Sequence, residues 1–126
     1  MSARRIPGFT LIELLVVVAI VATLLMIATP RYFRNLEKTR ETVLQQDLVA
    51  MRDAIDHYAG DKGRFPENLQ ALVAERYLKI LPKDPVTGAA DTWVIVDSDD
   101  PEMPGIRDVR SGAEGVGPSG TPFAEL

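Results

Sequence analysis

The sequence predicts an α+β protein. A long N-terminal helix, membrane-spanning in its first half, packs on a small domain with a short helix and a small antiparallel sheet. Three observations predict this. Residues 7–29 read PGFTLIELLVVVAIVATLLMIAT, a nearly uncharged apolar run. Leu36, Val43, Leu44, Leu48, Met51, Ile55 and Tyr58 then recur at helical spacing. Two short segments rich in strand-forming residues come after them, TWVIV at 92–96 and IRDVR at 106–110.

The first element is the apolar run. From Phe9 to Thr29 the only charged residue is Glu13. At about 1.5 Å rise per residue, such a helix spans roughly 30 Å, the thickness of a hydrocarbon core. Residues 9–29 are therefore read as a transmembrane helix, behind a short basic leader at 1–8 that holds Arg4 and Arg5. A carboxylate in such a helix is costly, so Glu13 needs a partner or a route to the interface.

Pro30 lacks an N–H and clashes with the carbonyl of Met26, so the helix is expected to kink or locally melt there. Residues 30–60 continue it as an amphipathic stretch, giving one helix over about 9–59. Arg34, Glu37, Lys38, Arg40, Glu41 and Asp53 are assigned to its polar face. Gly60 and Gly63 are expected to end it. His57 lies on this helix without a second histidine or any cysteine in the chain, and reads as a surface or packing residue.

Residues 61–126 form the small domain. Gly63, Arg64, Phe65 and Pro66 open a turn. Residues 67–77 read as a short helix with Leu69, Leu72 and Val73 on one face. LKILPKDP, at 78–85, is an extended connector with two prolines. TWVIV and IRDVR pair across the loop 97–105, the second alternating apolar and charged residues as an exposed strand does. The Gly-, Pro- and Ser-rich end, 111–126, is a loop docked on that sheet. Trp93 and Phe123 are its core or docking anchors.

Composition narrows the function. The residues after the span allow one compact domain at most. The formal net charge is −4, and loss of Arg4 and Arg5 makes the chain more acidic still. Neutralising phosphates needs clustered Lys and Arg, so nucleic acid is not an expected partner. With no cysteine there is no disulfide and no thiol site.

A secretory signal places its small-residue cleavage site after a shorter apolar core. Here the small residue, Gly8, comes before the run. In that order, and in Gly8, Phe9, Thr10, Leu11, Ile12 and Glu13 followed by an apolar helix and Pro30, the chain resembles type IV prepilins and pseudopilins. Tyr58, then GRFP at 63–66, Leu69, Leu72 and LPKDP at 81–85 extend the resemblance to the G-type major pseudopilins of type II secretion. It covers about two thirds of the chain and fades after Thr92.

The resemblance implies cleavage between Gly8 and Phe9 by a prepilin peptidase/methyltransferase, with N-methylation of Phe9. It implies a single-pass inner-membrane protein, N-terminus cytoplasmic and C-terminal domain periplasmic. It further implies a helical homopolymer built with an inner-membrane assembly platform and minor pseudopilins. Phe9, Glu13 and Pro30 would be the assembly residues. Cleavage creates an α-amino group four residues before Glu13. That amine could meet Glu13 within one chain, as residues four apart share a helix face, or in a neighbouring subunit.

G-type pseudopilins commonly hold calcium in the loop after their last strand, around an Asp-x-x-Ser-x-Gly-x-Asp-Gly pattern. Here the corresponding residues are Asp108, Ser111 and Glu114. The stretch is one residue shorter, has Glu114 where Asp is expected, and lacks a later Asp. Calcium takes six to eight oxygens, so carbonyls and water must complete the set. Asp97, Asp99, Asp100 and Glu102 form a second acidic group, but Glu102 stands where an EF-hand turn needs Gly. No other cofactor is implied.

Gly115, Gly117 and Gly120 match a dinucleotide fingerprint in spacing, without the following helix that would receive a pyrophosphate. No HExxH, P-loop or nucleophile elbow is present, and a single His disfavours acid–base catalysis. The expectation is a non-enzymatic pseudopilin that drives protein export. The alternatives are a type IV pilin for adhesion, motility or DNA uptake, and a membrane-anchored binding module that does not polymerise.

Overall fold

A computed structural model describes residues 7–126 and places 52 of them in one helix, α1 (Leu11–Lys62). The chain divides into two compact units, one ending at Asn35 and the other spanning Leu36–Leu126.

In the first unit Thr10 sets the helix start. Its Oγ1 accepts from the Glu13 N–H at 3.1 Å, and its carbonyl accepts from Leu14 N at 3.1 Å. The helix thus begins at Leu11 rather than at Phe9. Pro30 lies inside α1 and does not melt it. Proline removes one donor, while the helical bonds of the other residues still propagate. The hydroxyls of Thr23 and Thr29 donate to the carbonyls of Ala19 and Leu25 at 2.8 and 2.7 Å. Neither leaves a bare polar group in an apolar stretch.

In the second unit α1 supplies the core. Leu44, Leu48, Met51, Ala54, Ile55 and Tyr58 are buried and join Leu69, Leu72, Trp93, Ile106 and Val109 in one cluster. Val43, expected on this face, is exposed, and Glu41, expected on the polar face, is buried. The reason is register. Positions 41, 44, 48, 51, 55 and 58 alternate steps of three and four, a single heptad-like seam, and Val43 lies one residue off it.

The helix passes through Gly60 and ends at Gly63, whose φ is +70° and whose N–H donates to the Ala59 carbonyl at 3.0 Å. A glycine in the left-handed region just past the last turn is a common helix stop. Gly60 needs no such conformation and stays helical. The helix end is fastened twice, by Lys62 Nζ to Glu75 at 2.7 Å and by Tyr77 OH donating to Asp61 at 2.7 Å. The Lys62–Glu75 hydrogen bond holds the ammonium pKa above its ordinary value.

The short helix, α2 (Leu69–Ala74), is shorter than the sequence suggests. Asn68 caps it, accepting from Ala71 N at 2.8 Å. It stops at Arg76, φ 65°, with Arg76 N bonded to Val73 O and Tyr77 N to Leu72 O. This is a Schellman stop with arginine at the position glycine usually fills. Leu69 and Leu72 are buried, and Val73 only partly so.

Strands β1 (Val94–Asp97) and β2 (Ile106–Arg110) pair antiparallel, as expected; β1 starts and ends later than TWVIV. Val96 pairs with Asp108 but Asp97 pairs with Ile106, so Arg107 is the extra residue of a bulge. Strict alternation would put Ile106 and Val109 on opposite faces. The bulge turns both into the core, where they are 1% and 0% exposed, so β2 is not the exposed strand its pattern suggests. A lone two-stranded sheet is marginal in water, and this burial is its support.

The connector is pinned by Trp93, whose Nε1 donates to the Pro82 carbonyl at 2.8 Å. Trp93 is buried and Phe123 packs on the core, as anchors should. The last segment folds on itself through a Val116–Pro122 bridge and a short 3-10 helix, Phe123–Glu125.

Ile55 is fully buried, so Ile55→Ala is expected to cost about 2–5 kcal/mol. Denaturant unfolding followed by fluorescence of Trp93, the only tryptophan, checks this; an unchanged midpoint would remove the seam as the domain's foundation.

Candidate functional site

Functional geometry is concentrated along α1. At its start, Gly8 and Phe9 lie ahead of the helix, and Phe9 is 81% exposed. Residues 1–6 of the leader, Arg4 and Arg5 among them, lie outside the described residues. Glu13 stands in the first turn of α1, where the helix dipole favours a negative charge. Thr10 and Glu13 have the spacing of a capping box. That signal is present in TLIE, beneath the more conspicuous one of a carboxylate in an apolar run. Phe9 precedes the cap in this uncut chain, so Phe9 and Glu13 do not share a helix face here.

Every residue from Pro7 to Asn35 is exposed. Leu, Ile and Met at positions such as Leu11, Ile12, Met26 and Ile27 are 60–75% exposed. Such a surface suits lipid or the matching surface of another helix, and α1 is long and apolar enough to cross a membrane.

Further along α1, two charged residues reach the C-terminal part of the chain. Arg52 Nε donates to Asp108 Oδ1 at 2.9 Å, and its Nη2 donates to the main-chain oxygens of Val109 and Leu126 at 3.0 and 2.7 Å. Glu41 accepts from Ser119 N at 3.2 Å, and its carboxylate lies against Gly117. A Cβ on Gly117 would collide with Glu41 Oε2, so the close approach requires glycine there. Beside it lies an open groove of about 220 Å³, lined by Glu37, Arg40, Val86, Val116, Pro118 and Phe123 among others.

Two of the three residues suggested for calcium have partners within the chain. Asp108 is bound by Arg52 and also accepts from Val109 N at 2.8 Å. Ser111 is buried and donates to Asp84 Oδ2 at 2.5 Å. Glu114 is exposed. Asp84, fully buried, also accepts from Val86 N and Thr87 N at 2.8 and 3.3 Å, fixing the turn after the connector. In the second acidic group, Asp100 Oδ1 accepts from Glu102 N at 2.9 Å, a solvated turn. Among the described residues, no group of three or more His, Cys, Asp or Glu is placed to hold a metal ion.

His57 is exposed, its Nδ1 2.7 Å from the Asp53 carbonyl. The glycine-spaced segment at 115–120 is a turn, with Gly120 N bonded to Gly117 O and Phe123 N to Gly115 O. Asp47, half-buried on α1, has its pKa raised by burial first and by the Asp84 charge second.

Residues 4–29 match the prokaryotic N-terminal methylation motif. The chain is 35% identical over 101 residues to the type II secretion system core protein G of Aeromonas hydrophila, covering 68% of this chain and 71% of that one. It is 35% identical over 98 residues to the core protein G of Klebsiella pneumoniae, covering 65% and 70%. With the core protein G of Pseudomonas aeruginosa the identity is 33% over 101 residues, covering 68% and 71%. No solved structure matches the chain.

The raised pKa of Asp47 has a definite sign. The folded chain takes up the Asp47 proton at higher pH than the unfolded chain does. Stability from this group is therefore greatest below the unfolded value and falls as pH rises through the folded one. Asp47→Asn is expected to stabilise the domain at pH 7, by under about 1 kcal/mol for so accessible a group. The gain should vanish in acid. Unfolding midpoints across pH check it, and a loss of stability at pH 7 would contradict it.

Proposed function

The chain belongs to the type II secretion system core protein G family, and we propose that it polymerises into that system's extracytoplasmic filament and so drives protein export. The observation that carries this reading is the first half of α1, apolar and exposed along its whole length. The same helix carries the core of a small domain in its second half. A membrane-anchored subunit needs the first feature, and a filament subunit needs both.

In the proposed cycle, the subunit waits in the inner membrane with its N-terminus cytoplasmic and residues 61–126 periplasmic. A prepilin peptidase/methyltransferase cuts between Gly8 and Phe9 and methylates the new Phe9 amine. That group is cationic near neutral pH, and methylation keeps the charge. The assembly platform then lifts the subunit into a fibre, with minor pseudopilins as further partners, and growth of the fibre pushes folded cargo outward.

Apolar contact with lipid is exchanged for apolar contact with protein, so burial alone gives little selectivity between staggers. Charge supplies it. Glu13 of one subunit pairs with the Phe9 amine of its neighbour, and a stagger that leaves either alone in an apolar surround is disfavoured. The placement of Phe9 ahead of the helix cap supports pairing between chains over pairing within one.

Glu13→Ala tests the proposal. The variant should insert into membranes as the parent does. Its fibre yield should fall at least about tenfold, because removing one partner of a buried ion pair costs about 3–5 kcal/mol. Electron microscopy of fibres from cells overproducing the system, with membrane fractionation as the control, reads both. Fibres at parental yield would exclude the pairing.

A further inference from the structure

We propose that Arg52 takes the place of a metal ion in this chain, fastening the C-terminal segment with a cation built into α1. The proposal goes beyond the filament reading and does not depend on it. Three oxygens from separate groups converge on one guanidinium: Asp108 Oδ1 at 2.9 Å, Val109 O at 3.0 Å and Leu126 O at 2.7 Å. A carboxylate and two main-chain oxygens are the hard oxygen donors a calcium ion also selects. Here their partner is a side chain that never leaves.

The fork of the guanidinium suits this task. Nε addresses the carboxylate while Nη2 is shared between the two main-chain oxygens. A lysine ammonium is a compact point charge and does not reproduce that planar spread. The cation joins α1 to β2 and to the last residue of the sequence, positions 52, 109 and 126.

Two of the three candidate calcium donors already have partners within the chain, while Glu114 is exposed. Ser111 gives its hydroxyl proton to buried Asp84, and Asp108 accepts a main-chain N–H besides the guanidinium. A divalent ion bound to Asp108 would sit within a few ångströms of the Arg52 charge, where like charges repel. A calcium ion taking these same three oxygens would have to displace Arg52 from them.

The full-length chain in detergent micelles, with Trp93 fluorescence as the thermal readout, tests this. The parent is expected to melt at the same temperature in excess chelator and in about 10 mM calcium, above the range in which extracellular calcium modules bind. Arg52→Ala should melt about 5–10 °C lower in both conditions, and Arg52→Lys should fall between them. A calcium-dependent rise in the parental Tm would overturn the proposal. So would an Arg52→Ala variant that melts with the parent in chelator. If Arg52→Ala does not fold, calorimetric titration of the parent with calcium decides: no binding heat upholds the internal cation, and a saturable heat overturns it.

Discussion

One helix has to satisfy two solvents, and most of the structure depends on that. The first half of α1 presents apolar side chains on every face and is stable only in lipid or against other helices. The second half must be apolar along a single seam so that its other faces can meet water. Leu44, Leu48, Met51, Ile55 and Tyr58 form that seam and are nearly or fully buried. Each large side chain buried there contributes on the order of 1.5–3 kcal/mol. A domain of this size has little else from which to build a core, since its sheet has only two strands. The seam, and not the sheet, is the feature around which the rest of the domain is arranged.

The same seam explains the two charged ties. Glu41 continues its spacing one step toward the membrane half, and Arg52 flanks it. Both are drawn into the domain, and both act on the Gly- and Pro-rich end of the chain. That end has no strand or helix long enough to hold itself. Glu41 takes the Ser119 N–H and presses on Gly117, while Arg52 holds β2 and Leu126. Asp84 and Ser111 close the remaining gap from the connector side. A domain without disulfides thus secures its last residues with polar contacts, each radiating from α1 or from one buried turn.

Much of this is legible in the sequence. The apolar span, the amphipathic continuation, the two strands and their antiparallel pairing, and the anchoring roles of Trp93 and Phe123 all come from periodicity and composition. The illegible parts have physical causes. Arg76 ends α2 in a conformation that glycine usually marks, so residues 75–77 look helical in sequence. IRDVR reads as an exposed strand although Ile106 and Val109 stand three apart, a spacing that only the bulge at Arg107 brings onto one face. The charge of Glu41 points to solvent although its spacing belongs to the core. Gly60 looks like a stop, yet only the glycine that adopts a positive φ, Gly63, ends the helix. At the candidate site, Glu13 and the Gly8–Phe9 junction are evident, while the Arg52 contacts join residues too far apart in sequence for any local pattern to reveal.

Everything proposed for the filament requires this N-terminus to be a processing and assembly segment rather than a plain anchor. Intact mass of the membrane-extracted protein, made with and without an active prepilin peptidase, tests that most directly. The expected result is a chain that lacks residues 1–8 and carries one added methyl when the peptidase is present, and an uncut chain when it is absent. An uncut chain beside an active peptidase would contradict it and leave α1 as a membrane anchor for a domain that does not polymerise.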